Sequence, residues 1–289
     1  MPGEPARSGN AWPALYQAPL AGLAAIAGSD DAWCQWAAAV CWMATGDYSR
    51  AFLILQPLAR AARVESSGNS ATKRPTELAG LAATTMASGL RQLNEHDRAL
   101  PLDRAAAAVP GAAGTDSVIG SAADYVGLGD AAAAAEILAT AQPRLATWRD
   151  QVRYRWVAAE VDLLRGELAA AVTHAEMAVT LAQEHDSPRH QLKSELFLAV
   201  ARDVRRHGDG EQLLHNVVNQ AFQLQLRPLL WPAVEVLADR ATVGERSQGV
   251  AALDYIAARL PHGVGARWTG TSLRRSWYKE KVQNGRVGH

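Results

Sequence analysis

Arg202 and Arg205 stand three residues apart, a spacing that projects two side chains from one face of a helix. Two guanidinium forks side by side can grip a carboxylate through parallel N–H donors, so an acidic peptide segment suits them. Arg206 is rotated off that line. Gly208 close behind opens a second reading, in which Arg205 and Arg206 simply favour a helix C-terminal dipole. Farther on, residues 267–289 carry six basic residues against Glu280 alone. There Arg267, Arg274 and Arg275 alternate with Trp268, Trp277 and Tyr278, a mixture that can bind single-stranded nucleic acid by phosphate contact and stacking. The same residues suit an acidic protein surface, or rings docked on the preceding helices with their charges left in water.

His185, Asp186 and His190 form the densest group of possible metal ligands. No complementary pair lies nearby in sequence, and Pro188 gives the stretch EHDSPRH the composition of a solvated loop, so no metal is expected. The chain has no G-x-x-x-x-G-K-[ST] loop, no H-E-x-x-H, no G-x-S-x-G and no C-x-x-C. Every strong argument for an enzyme is thereby removed, and no cofactor is expected. Trp33, Trp36 and Trp42 crowd one stretch with Cys41. They read as rings filling an interface with an N-terminal helix, or as an aromatic anchor for a peptide.

Such residues need a scaffold, and composition says which kind. Hydrophobic residues make up 48% and mean hydropathy is -0.12, enough for a core without an integral membrane protein. Alanine supplies much of the apolar count while Phe occurs three times, which favours closely packed helices over a sheet. The 29 basic and 29 acidic residues balance, so no global charge draws the chain to nucleic acid or an anionic membrane. Cys34 and Cys41 are seven residues apart, about 10 Å along a helix, too far to bridge. Reduced, buried cysteines and the lack of a convincing leader or span place the protein in the cytoplasm.

Five dipeptides put Gly or Asn before an acidic residue: Gly46-Asp47, Asn94-Glu95, Gly129-Asp130, Gly166-Glu167 and Gly208-Asp209. Gly and Asn tolerate the positive φ that ends a helix, and an acidic residue favours the start of the next. Seven residues before each turn stands an alanine: Ala39, Ala87, Ala122, Ala159 and Ala201. Five residues after stand Ala51, Ala99, Ala134 and Ala171, then Leu213. Small residues at these points let the two helices of a hairpin cross closely. Residues 63–75 interrupt the series with a polar insertion of mobile-loop character.

On these residues the chain resembles the tetratricopeptide repeat family. The likeness is clearest over Ala32–Ala61, with Trp42, Gly46-Asp47-Tyr48, Ala51 and Leu55, and continues through Thr115–Ala141 and Val152–Ala178. Two positions depart from the pattern: Asp162 replaces an aromatic and Asp103 sits where an apolar residue is usual. The resemblance implies an all-α, right-handed α-α superhelix of about five helix–turn–helix repeats with capping helices. An added helix over Pro13–Ala27 and a degenerate pair over Pro228–Asp239 and Arg246–Leu260 would cap it. Residues 1–10 are then a disordered start, 11–260 the repeat domain and 261–289 the basic aromatic tail.

In arrays of this family the first helix of each repeat lines the concave face. That implies a groove carrying Arg91, Arg153, Trp156, Glu160, Arg202 and Arg205. The expected function is a non-catalytic scaffold or regulatory adaptor holding a protein or peptide, acidic by the groove's arginines. The alternative is a transcription- or nucleic-acid-associated factor acting through the tail. A homo-oligomer formed through the Trp-rich first repeat is also open.

Overall fold

A computed structural model describes Leu23, Ile26 and residues 28–67, 76–204 and 209–264. Among these, twelve α-helices follow one another with no strand. They are α1 (Ala32–Thr45), α2 (Tyr48–Ser67), α3 (Glu77–Gln92), α4 (His96–Ala106), α5 (Ala112–Leu128) and α6 (Ala131–Ala141). Then come α7 (Trp148–Arg165), α8 (Leu168–Glu184), α9 (Pro188–Val204), α10 (Gly210–Gln223), α11 (Arg227–Leu237) and α12 (Val243–Ala257). Each packs chiefly on its neighbours in the chain. None is long and apolar enough to cross a membrane.

Four of the five expected turns are built as the dipeptides require, while Gly208 of the fifth lies outside the described residues. Gly46, Gly129 and Gly166 take φ of 91°, 84° and 78°, and Asn94 takes 60°, each closing the first helix of a hairpin. At two of them the following acidic residue caps the second helix: Asp47 accepts a hydrogen bond from the Arg50 N–H and Asp130 from the Ala133 N–H. Helix starts elsewhere are capped by Asp31, Thr76, Thr147 and Thr242, the last two in reciprocal capping boxes with Asp150 and Glu245. Ala39, Ala51, Ala87, Ala99, Ala122, Ala134, Ala159, Ala171 and Ala201 are all wholly buried. A larger side chain at such close-packed crossings would have to push the helices apart.

Three expectations change. Helix α2 runs on to Ser67, so the polar insertion begins inside a helix. Helix α9 starts at Pro188, whose fixed φ suits a first helical position, so His190 lies in a buried helical turn and not on a solvated loop. The pair α11–α12, expected as a degenerate cap, does more than cover the last repeat. It returns to the first hairpin, where Ile256 of α12 joins the apolar cluster of α1 to α4. Arg227 Nη1 donates to the Thr45 carbonyl at 3.2 Å, the Ser49 N–H donates to the Arg259 carbonyl at 2.8 Å, and Arg98 Nη1 donates to the Gly263 carbonyl at 2.8 Å. Last meets first. The last hairpin therefore borders the first beside the inner surface. Of the expected N-terminal helix, Leu23 and Ile26 are helical and buried; its other residues, like 1–10, lie outside the described ones.

Candidate functional site

The first helix of every hairpin contributes to one chamber of about 310 Å³. Trp36 comes from α1, Thr84, Thr85 and Ser88 from α3, and Asp116 from α5. Helix α7 supplies Arg149, Arg153, Trp156 and Glu160, at intervals of four, three and four that keep one face of the helix inward. Helix α9 answers with Arg189, His190, Lys193 and Phe197, and α11 closes the wall with Pro228, Leu229 and Trp231.

Asp116 organises the cations. Arg149 holds it through two hydrogen bonds of 3.0 and 2.9 Å, and Arg153 Nε stands 2.9 Å from its Oδ1. Burial pushes the Asp116 carboxyl up, yet Arg149 and Arg153 together overcome this and keep it below its usual range. It is ionised. Trp156 is locked by its Nε1 donating to Ser194 Oγ at 2.8 Å, and it lies nearly parallel to His190 and Phe197. The Lys193 ammonium sits 4.3 Å from the centroid of the Trp156 ring. Burial, then the neighbouring Arg153, lowers the proton affinity of Lys193, while burial raises that of Glu160. His190 is held neutral, first by burial and then by Arg189, Arg149, Arg153 and Lys193.

Ser187 Oγ and His190 Nδ1 are 2.8 Å apart, a pairing that could suggest a nucleophile. Ser187 is 1% exposed, however, and stands just before α9, so the contact closes that helix start. His185 stacks on Trp148 with ring centroids 4.9 Å apart. Among the described residues no group of three His, Cys, Asp or Glu side chains could hold a metal ion.

The expected groove residues divide. Arg153, Trp156 and Glu160 meet in the chamber. Arg91 does not line it. Its Nη1 is drawn into a buried node with Asp103, with Asp124 at 3.1 Å and with the Gly120 carbonyl at 3.2 Å. Asp103, odd at an apolar position in sequence, is the reason: a buried carboxylate there demands a cation. Arg202 is also elsewhere, bound to Glu176 of α8 and to Asp209. Arg205 and the tail residues Arg267, Trp268, Arg274, Arg275, Trp277 and Tyr278 lie outside the described residues.

Trp36 is both core and chamber wall, 4% exposed with its Nε1 donating to Thr85 Oγ1 at 3.0 Å. Missed by sequence reasoning were Arg149, Arg189, Lys193, Asp116 and Trp231, while His190 was weighed only as a metal ligand. A signal existed for α7 and α9. Arg149, Arg153, Trp156 and Glu160 form one stripe, and Arg189, Lys193 and Phe197 another, on helices whose other faces are apolar or solvated. No family model matches the chain, and neither does any curated protein.

Proposed function

We propose that this protein is a non-catalytic, tetratricopeptide-like scaffold or adaptor, wound as a right-handed superhelix, that receives a short acidic segment of a partner protein in its inner chamber. One observation carries the reading: six first helices converge on a space where, among the described residues, cations outnumber carboxylates and the remaining wall is largely aromatic and aliphatic. Arg and Trp are the side chains that dominate protein recognition when packed in a concave, desolvated site. The space suits an extended segment and is too small for a folded partner. The Trp156 ring, fixed by Ser194 and Phe197, offers a rigid contact that costs little ordering on binding.

Selection of a random displayed peptide library against the full chain tests this. Acidic sequences should be enriched, and they should lose binding to Arg189→Glu, a half-buried position at which circular dichroism should stay unchanged. Absence of enrichment, or enrichment indifferent to that reversal of charge, would remove the chamber as the site.

A further inference from the structure

We infer that the chamber takes a free α-amino acid with a large apolar side chain, its ammonium held by Glu160 and its carboxylate by Lys193, an assignment resting on the reading above only for the location of the site. Most polar groups of the wall already have partners. Asp116 is held by Arg149 and Arg153. Thr85 Oγ1 accepts from Trp36 Nε1 and donates to the Leu81 carbonyl, Gln92 accepts from the Tyr48 hydroxyl at 2.9 Å, and His190 meets Ser187. Arg189 is engaged as well. Among the described residues two charged side chains of the chamber make neither a hydrogen bond nor an ion pair, and their charges are opposite: Glu160 and Lys193.

The two groups gather around one ring. Glu160 follows Trp156 by four residues on α7, one turn farther along the same inward face. Lys193 reaches over from α9, with its ammonium 4.3 Å from the Trp156 ring centroid and 5.8 Å from that of Phe197. Both are half-buried, and each influences the other's proton affinity without forming an ion pair with it. A simple anion would satisfy Lys193 and face a like charge on Glu160; a simple cation would do the reverse. A zwitterion with both charges on one carbon gives each group a charge-assisted hydrogen bond. The neighbouring wall suits an apolar side chain, with Val40 and Met43 from α1, Leu196 and Phe197 from α9, and Leu229 and Trp231 from α11. A volume of about 310 Å³ lies at the small end of ligand pockets, room for one such molecule.

Calorimetric titration of the full chain near neutral pH tests this with L-phenylalanine, with 3-phenylpropionate, which lacks the ammonium, and with phenethylamine, which lacks the carboxylate. L-phenylalanine should bind at least about tenfold more tightly than either, because each analogue forfeits a charge-assisted contact and keeps a like-charged neighbour. Glu160→Gln should abolish the preference over 3-phenylpropionate alone, and Lys193→Met that over phenethylamine alone. A role in folding only would not divide the two preferences in this way. Circular dichroism shows whether both variants fold, and the wild-type series decides alone should one fail. Equal affinity for L-phenylalanine and either analogue, no heat from L-phenylalanine or L-leucine, or folded variants that lose both preferences together overturns the proposal. So does glycine bound as tightly as L-phenylalanine, since the apolar wall would then be idle. Library peptides that bind where neither apolar amino acid does would leave the acidic-segment reading standing and remove only the zwitterion. Amino acids that bind where no peptide is enriched would keep the zwitterion and discard the partner segment.

Discussion

Arg91 shows how one side chain can be read correctly for chemistry and misplaced in space. Its guanidinium serves as an anion partner, but for the protein's own Asp103 and Asp124, both wholly buried. Removing it by Arg91→Leu leaves two carboxylates in the core without their cation, a loss of about 3–5 kcal/mol. Urea unfolding should show it as a lower midpoint, while chamber titrations at permissive denaturant stay unchanged. The same node has a pH signature. Burial pushes Asp103 up to about 7 even though Arg91 opposes it. The folded state therefore holds that proton more tightly than the unfolded chain does. The stability this contributes is full below the ordinary carboxylate range and disappears as pH climbs through about 7. Wild-type urea midpoints should fall between pH values on either side of that window, and Asp103→Asn should flatten the fall. A variant with the wild-type slope would show that another group is responsible.

Hairpins were the most legible level, because what specifies them is local. A turn residue with positive φ, an acidic helix start and an alanine one crossing away lie within a dozen residues of each other. The glycines nevertheless differ in a way the sequence hides. At Gly166, with φ of 78°, an added Cβ would meet nothing within 4 Å. Gly166→Ala should cost only the strain of the left-handed backbone, about 1–2 kcal/mol. At Gly46, with φ of 91°, the same Cβ would stand 2.8 Å from Ile256 Cγ1, an atom contributed by the last helix. Gly46→Ala should therefore cost roughly 1–3 kcal/mol more than Gly166→Ala, since crowding is added to strain. Equal losses in thermal or urea unfolding would mean that α12 does not press on the first turn. The chamber was half legible for a related reason. Helical spacing puts Arg153, Trp156 and Glu160 on one face of α7. That Arg149 and Lys193 join them depends on how α7 and α9 are rotated against each other, which spacing within one helix does not fix.

Closure of the array lay beyond sequence reading altogether, because small rotations between successive hairpins accumulate before the ends can meet. Its physical consequence is cooperativity. In an open stack each repeat contacts only its neighbours, so damage at one end stays there. Here Ile256, wholly buried, packs into the cluster formed by α1 to α4, and the Arg259 guanidinium reaches Asp47 at 3.7 Å. Ile256→Ala should cost about 2–5 kcal/mol, as large-to-small changes in cores do. The decisive measurement is where the loss is felt. Hydrogen exchange should quicken in α1 and α2 as well as in α11 and α12, although some two hundred residues of chain separate them. The middle helices α6 to α8 should respond less, since they pack chiefly on α5, on α9 and on one another. Quickening confined to α11 and α12 would mean that the ends separate freely in solution. The chamber would then lose the wall that α11 gives it, and Pro228, Leu229 and Trp231 would no longer be held against the other first helices.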